Sequence, residues 1–367
     1  MPVLHTSTNA ASGHSWKGIA AVLVLTFAVY IPTLRYQFVH DDRGQIVENS
    51  AVHSWRFVPS YFTSQVWAGV MPGELGNYYR PLFLLWLRIN HAAFGTHAWG
   101  WHLTTVLAHV LTTLLAYVLA LSLGVSEDAA LVAALVFGLH PAHIEAVAWI
   151  SGATEPLLGV LLIPSFLSYV RWRRTSRRNR RLASVVLFAL ALGEKETAMI
   201  LPGLLLAYDW IFSSGHPCPR CHENDSPPQP EEGWGVVGAG TTTRPTTPDP
   251  SLPRRGISAR NDSLFQSSSA ALRRIWPFLL VIALYLPARF YALKALSHPV
   301  TPISKAQLAF TWPSLICFWI RHLILPVGLI TFYDFPAVLQ PTLRNFTFPL
   351  LFDVCAGAAL LAAVRRS

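Results

Sequence analysis

Apolar residues along this chain come in long runs separated by short polar segments, rather than at the three-to-four-residue spacing of a helix with one face in water. The runs fall near 17–34, 102–123, 128–139, 156–170, 182–193, 197–212, 275–292, 308–326 and 346–364. About 20 apolar residues cross a bilayer core upright, and fewer suffice where flanking arginines snorkel or a helix is broken. The pattern predicts an all-α, polytopic transmembrane helical bundle of about nine spans. The shortest runs, 128–139 and 182–193, read as half-helices that continue into the polar segments after them.

Two polar stretches divide the chain. The segment 36–99 is too rich in charge and aromatic residues to sit in hydrocarbon and reads as a large external loop. Residues 215–271 are dominated by Pro, Ser, Thr, Gly and charge and read as a disordered cytoplasmic linker. An N-terminal membrane module, 1–214, is thereby separated from C-terminal helices, 272–367. Orientation follows from Arg171, Arg173, Arg174, Arg177, Arg178, Arg180 and Arg181, a cluster without an acid that the positive-inside rule places in the cytoplasm. Counting back from it puts 36–99, 140–155 and the 193–197 turn together on the external face. The run after Lys17 lacks a small-residue cleavage pattern and is expected to be a retained first span.

Composition agrees. Of the 367 residues 52% are hydrophobic and only 13% charged, and the mean hydropathy is +0.39, whereas soluble domains carry about 25% charged residues. The net charge of +9 lies largely in the arginine cluster, so it argues for membrane topology and against nucleic acid as a partner. Four cysteines are too few for a disulfide scaffold. Cys218-Pro219-Arg220-Cys221-His222 matches a haem-attachment pattern and half a zinc site, but with no second ligand pair it reads as a chance match.

Candidate chemistry lies on the presumed external side. His40-Asp41-Asp42-Arg43 puts two carboxylates just beyond the first span, where one can deprotonate an acceptor hydroxyl or hold a divalent cation against a phosphate. Neighbouring side chains point in different directions, so the two are not equivalent unless the backbone there is irregular. In Tyr78–Phe94 a helix along the membrane interface would gather Arg80, Arg88 and His91 within an arc of about 80°, suited to a lipid phosphate or to ordinary headgroups. His140-Pro141-Ala142-His143-Ile144-Glu145 places a proline where a new helix begins. Two histidines and a glutamate at membrane depth are costly unless they function or bond one another. Glu194-Lys195-Glu196 interrupts two apolar runs, so Lys195 can meet phosphate oxygens and Glu196 can orient a donor, or the three can neutralise one another.

Taken in order, Val39-His40-Asp41-Asp42, Tyr79-Arg80-Pro81-Leu82, His140 through Gly152, Lys195-Glu196, Leu201-Pro202 and Tyr208-Asp209-Trp210 resemble one family. They look like the transmembrane module of the tetratricopeptide-repeat-containing O-mannosyltransferases and their bacterial relatives, within the GT-C glycosyltransferase superfamily. The likeness runs from about 36 to 213 and is looser at Leu325-Pro326 and Tyr333-Asp334-Phe335. It implies a GT-C-like fold, a catalytic aspartate in the first external loop and a polyprenyl-phosphate-linked sugar as donor. Asp41 or Asp42 would be the base or the metal-binding acid, with Mg or Mn as the optional cation. Arg80, His140, His143 and Lys195 would face the substrate, and Glu145 and Glu196 would shape the cavity. Two departures stand out. The run Ser151-Gly152-Ala153-Thr154-Glu155 lacks an arginine where the family often has Ser-Gly-Arg-x-Asp, and Glu194 stands where it often has serine. No tetratricopeptide array follows the last apolar run.

The expected activity is inverting transfer of a hexose such as mannose, at the external or lumenal face, to a hydroxyl on a protein or glycan. A transporter or flippase for a lipid-linked or organic anion, and an inactive scaffold of the same fold, are the alternatives. The bilayer is the plasma membrane for a bacterial chain and the endoplasmic reticulum membrane for a eukaryotic one.

Overall fold

The computed structural model describes residues 15–213, 258–295, 303–329 and 335–366, and every regular element among them is helical. In chain order these are α1 (Ser15–Tyr30), α2 (Val58–Tyr61), α3 (Pro81–Phe94), α4 (Ala98–Ser122), α5 (Glu127–Leu139), α6 (Ile144–Ala148), α7 (Thr154–Thr175), α8 (Arg178–Glu194), α9 (Leu201–Ser213), α10 (Ser258–Leu293), α11 (Lys305–Ile324) and α12 (Phe348–Arg366), joined by short tighter or looser turns.

Among the described residues, five helical stretches are long and apolar enough to cross a membrane: Trp16–Arg35, Ala98–Ser122, Ile150–Thr175, Ala271–Leu293 and Leu343–Ala363. The pair Glu127–Leu139 and Pro141–Ala148, bent by 45°, adds a sixth if it is one broken span. The other runs expected to span, in α8, α9 and α11, are helical but do not reach that combination of length and hydropathy. Of the about nine spans expected, five or six are matched by helices of spanning character among the described residues. The linker expectation also changes: residues 258–271 begin α10. Between Ile257 and Trp276 the sequence holds neither Gly nor Pro, so nothing stops the helix from extending toward its apolar half. The rest of that stretch, 215–257, lies outside the described residues, as do the Cys218–His222 motif and Tyr333-Asp334.

The chain divides into two compact units, Met1–Pro202 with Pro277–Ser367, and Gly203–Trp276. In the second, Arg274 donates to Asp209 at 3.0 Å. The site residues described below lie in the first.

Within the first unit α4 packs on α1, α5 and α7, and α7 forms a hairpin with α8. Between helices in lipid, close packing and hydrogen bonds replace the hydrophobic effect as the source of cohesion. The contacts match. Ser165 and Ser184 hydroxyls each donate to the other's carbonyl, at 2.6 and 2.7 Å, locking α7 to α8. A methyl group on Gly159 would sit 2.6 Å from Thr112 Cγ2, so only glycine lets α7 approach α4 this closely, and Thr112 donates to the Pro156 carbonyl at 3.0 Å. The His109 ring lies 3.0 Å from the Gly138 carbonyl, satisfying one of the last acceptors of α5.

The segment between α1 and α3 folds into a cap on α3 and the start of α4. Ile46, Val52, Tyr61, Phe83, Leu87, Trp101 and Ile150 form its buried core. Each such side chain contributes about 1.5–3 kcal/mol on burial. Polar pins fix it: Tyr61 donates to the Ala51 carbonyl at 2.8 Å, and buried Arg88 donates to the Val52 carbonyl at 2.9 Å while its guanidinium covers the Trp55 ring. Arg88 was expected to share a headgroup-facing arc with Arg80 and His91. It is instead turned into the cap, because the Val52 carbonyl and the Trp55 face supply the partners that a buried cation needs.

Candidate active site

The carboxylate pair is resolved by backbone geometry. His40 adopts a left-handed conformation, φ 46°, that costs a non-glycine residue energy and that recurs at functional sites. The kink separates the two aspartates. Asp42 is fully buried. Its Oδ2 accepts the Val39 N–H at 3.1 Å, and its Oδ1 accepts the Ser151 N–H at 2.8 Å and the Ser151 hydroxyl at 2.6 Å. Asp42 thus ties the end of the first span to the turn after Trp149, 109 residues away. Asp41 is half-buried and lines a cavity of about 750 Å³. Burial pushes the Asp41 carboxyl above the usual carboxylate range, the neighbouring His40 holding the rise back. Burial raises Asp42 as well, against the pull of the Ser151 and Val39 donors.

The cavity also receives Arg80, His143, Glu145 and Lys195. Each arrives from a break in a helix. Arg80 caps the start of α3, where Pro81 takes the first-turn position that needs no N–H. The His140–Pro141 step turns the chain out of α5 into the tight turn carrying His143 and then into α6 with Glu145, as the proline position predicts. A Cβ on Gly152 would lie 2.7 Å from the Glu145 carbonyl, so glycine is what allows the turn bearing Ser151 to close against α6. Lys195 is extended between α8 and the turn into α9.

Two cross-chain ion pairs organise the charges. Arg80 Nε and Nη2 donate to Glu196 Oε2 and Oε1 at 3.2 and 3.1 Å, a bidentate pair with the guanidinium packed on the Tyr78 ring. Lys195 pairs with Glu155 at the start of α7. Burial alone would raise Glu196, but the hydrogen bonds and charge of Arg80 outweigh it and hold this carboxyl below its ordinary value. Glu194, 2% exposed, behaves oppositely: burial pushes it up to about 8 despite Arg80 and Lys195, so it carries its proton at neutral pH. A second cavity of about 650 Å³ lies on the other face of α6, shares Ala142, Glu145, Trp149 and Trp319 with the first, and is mostly apolar.

Of the residues expected at the site, Asp41, Arg80, His143, Glu145 and Lys195 meet around one cavity. Asp42 and Glu196 stand behind it as anchors of Ser151 and Arg80. His140 is not brought in: its Nδ1 accepts the Ala142 N–H at 3.2 Å, capping its own turn, and its Nε2–H donates to the Leu323 carbonyl at 2.8 Å at the end of α11. Of the two aspartates, either of which was expected as the acid for an optional divalent cation, only Asp41 is open to the cavity. Both Asp42 oxygens are engaged, and among the described residues no three His, Cys, Asp or Glu side chains converge to hold a metal ion. The sequence reading passed over Glu155 and Ser151 as site residues. Glu155 could have been found where the family pattern has aspartate, and Ser151 had no local signal.

An all-helical membrane protein with a polar cavity at its helix ends, floored by acids and cations from distant segments, is the class these features define. The chain is 34% identical over 196 residues to protein O-mannosyl-transferase Tmtc1 of Drosophila melanogaster, covering 53% of this chain and 23% of that protein. It is 31% identical over 250 residues to human protein O-mannosyl-transferase TMTC1, covering 61% and 28%, and 35% identical over 184 residues to Drosophila Tmtc2, covering 48% and 20%. These relatives bear out the resemblance seen in the motifs. The chain spans about a quarter of the length of the curated relatives it matches. No family model matches it, and no solved structure does.

Proposed function

We propose that this chain is the catalytic membrane module of a glycosyltransferase that moves a sugar from a polyprenyl-phosphate donor to a hydroxyl group at the external or lumenal face. The relatives' name, protein O-mannosyl-transferase, supports mannose as the sugar and a protein hydroxyl as the acceptor. One observation carries the reading: Asp41 faces the same cavity as Arg80 and Lys195, and that cavity is also lined by Leu158, Leu162 and Ile163 along α7. A charged head and an apolar tail in one space match a lipid phosphate.

In the proposed step Asp41 accepts the proton of the acceptor hydroxyl as its oxygen bonds to the anomeric carbon from the face opposite the phosphate. The anomeric carbon–oxygen bond breaks, and polyprenyl phosphate leaves with the electron pair. A single displacement inverts the anomeric centre and needs one base, which is why one cavity-facing aspartate suffices. Arg80 and Lys195 stabilise the charge that grows on the leaving phosphate. Glu196 holds the Arg80 fork in place from behind, and a protonated Glu194 keeps a further negative charge out of the anion's surroundings.

Purified full chain incubated with radiolabelled polyprenyl-phosphate mannose and serine- or threonine-containing peptides tests this. Transfer by the parent chain and its loss in Asp41→Asn are expected. Unimpaired transfer by Asp41→Asn overturns the assignment, and donor crossing the bilayer with no label reaching any acceptor favours a transporter.

A further inference from the structure

The two cavities that share the α6 wall differ in the charges they hold and in the segments that line them. The donor cavity reaches Leu162 and Ile163, eight and nine residues into α7, which at 1.5 Å per residue is about 12–14 Å below the level of Thr154. The second cavity is walled by helix ends and loop: Tyr36 just past the first span, His40 beside the proposed base, Trp149 at the end of α6, and Trp319 and Leu323 in the last turns of α11. The α11 wall is held in position by the His140–Leu323 bond, which gives that histidine a role.

On the proposed reading of the site, we infer that this second cavity is the acceptor subsite, and that it seats a large apolar side chain of a peptide next to the serine or threonine being modified. Three observations converge. The cavity lies at helix-end level, where a water-soluble chain can reach it, whereas an isoprenoid tail is better accommodated in the space lined along α7 by Leu162 and Ile163. Its volume, about 650 Å³, holds one bulky side chain with adjacent backbone and not a folded surface. It borders the reacting centre through His40, the residue before Asp41, and through Glu145 and Trp149, which face both cavities. A hydroxyl on a residue anchored there is delivered to Asp41 from the side opposite the donor phosphate, as inversion requires. Aromatic walls with a few polar groups at the rim are what select one side chain while orienting its backbone.

Filling the cavity from opposite walls tests the proposal. Ala148→Trp on α6 and Ile320→Trp on α11 alter residues that line only this cavity. The probes are two synthetic threonine peptides, one with leucine or phenylalanine flanking the threonine and one with glycine, together with radiolabelled polyprenyl-phosphate mannose binding measured without acceptor. The parent chain should favour the apolar-flanked peptide by about tenfold or more in kcat/KM. Both variants should erase that preference by raising its KM while donor binding stays within twofold. A preference that survives in both variants overturns the proposal, as does an equal loss of donor binding in both, which makes the cavity a lipid site. Transfer to neither peptide by the parent chain, with donor bound, removes the glycosyltransferase reading itself.

Discussion

The two ends of the α7–α8 hairpin carry charge in opposite ways. At one end seven arginines crowd the turn between Arg171 and Arg181 with no acid in the stretch, and most of them are exposed. At the other, Lys195 and Arg80 are each matched to a glutamate, Glu155 and Glu196, and Glu194 is buried beside them with its proton retained. The first end is redundant, since any arginine there can be replaced by its neighbours in setting orientation. The second is not: each charge has one partner from a distant segment, so its loss strands another group. Function should therefore be fragile at one end of the hairpin and robust at the other.

The largest expected effect is at Asp41, the proposed base. Asp41→Asn should lower transfer by roughly 10²–10⁴-fold with the thermal midpoint in detergent unchanged, measured with labelled donor. Because burial raises the Asp41 carboxyl, transfer should decline on acidification at a pH above that of an ordinary aspartate, where the base takes up its proton. An acid limb at or below the ordinary carboxylate range would contradict the site's desolvation.

Next come the paired charges. Arg80→Lys keeps the charge but loses the two-pronged grip on Glu196, and a single ammonium cannot reproduce it. Transfer should drop by roughly 10–100-fold, somewhat less than the cost of removing a whole anion-stabilising donor. Glu196→Gln should do the same more mildly. If both variants work like the parent, the ion pair is mere surface charge and the contrast between the hairpin's ends collapses.

The apolar helices α1, α4 and α7, the His-Pro turn and the gathering of three separated segments were legible in the sequence, because hydropathy, proline and buried charge are local signals with direct structural consequences. Which of Asp41 and Asp42 faces the cavity was not. Asp42 is held back by Ser151, which lies far along the chain and shows only as a serine after Trp149-Ile150. Arg88 misled for the same reason: its helical spacing matched a basic arc, but the Val52 carbonyl that claims it belongs to the folded cap. Composition also gave no sign that α10 begins at Ser258, since polar serine-rich sequence without glycine or proline is compatible with helix once an apolar helix follows it.

A smaller effect is expected where the anchor is trimmed. Ser151→Ala removes one of three donors to a buried carboxylate and should cost about 1–3 kcal/mol of stability, read as a lowered thermal midpoint in detergent, with transfer falling only as far as the cap loosens. The pH sign follows from Asp42. Its folded value is raised above its unfolded one, so its contribution to stability is present below the unfolded value and is lost as pH rises through the folded value. Removing the hydroxyl that favours the ionised form should steepen that loss on the alkaline side.

The smallest effect belongs to the arginine turn. Arg177→Gln, Arg178→Gln or Arg180→Gln should leave transfer within twofold and stability within about 0.5 kcal/mol, because exposed substitutions away from caps and buried pairs rarely do more. The test that gives this near-absence of effect meaning is cumulative: with all seven arginines changed to glutamine, a cysteine placed at Ser64 should shift from labelling by an impermeant reagent outside to partial labelling inside, since the asymmetry that orients the bundle is then gone. Unchanged labelling would mean that orientation is fixed elsewhere in the chain, and the arginine end would then be as idle for topology as it is for chemistry.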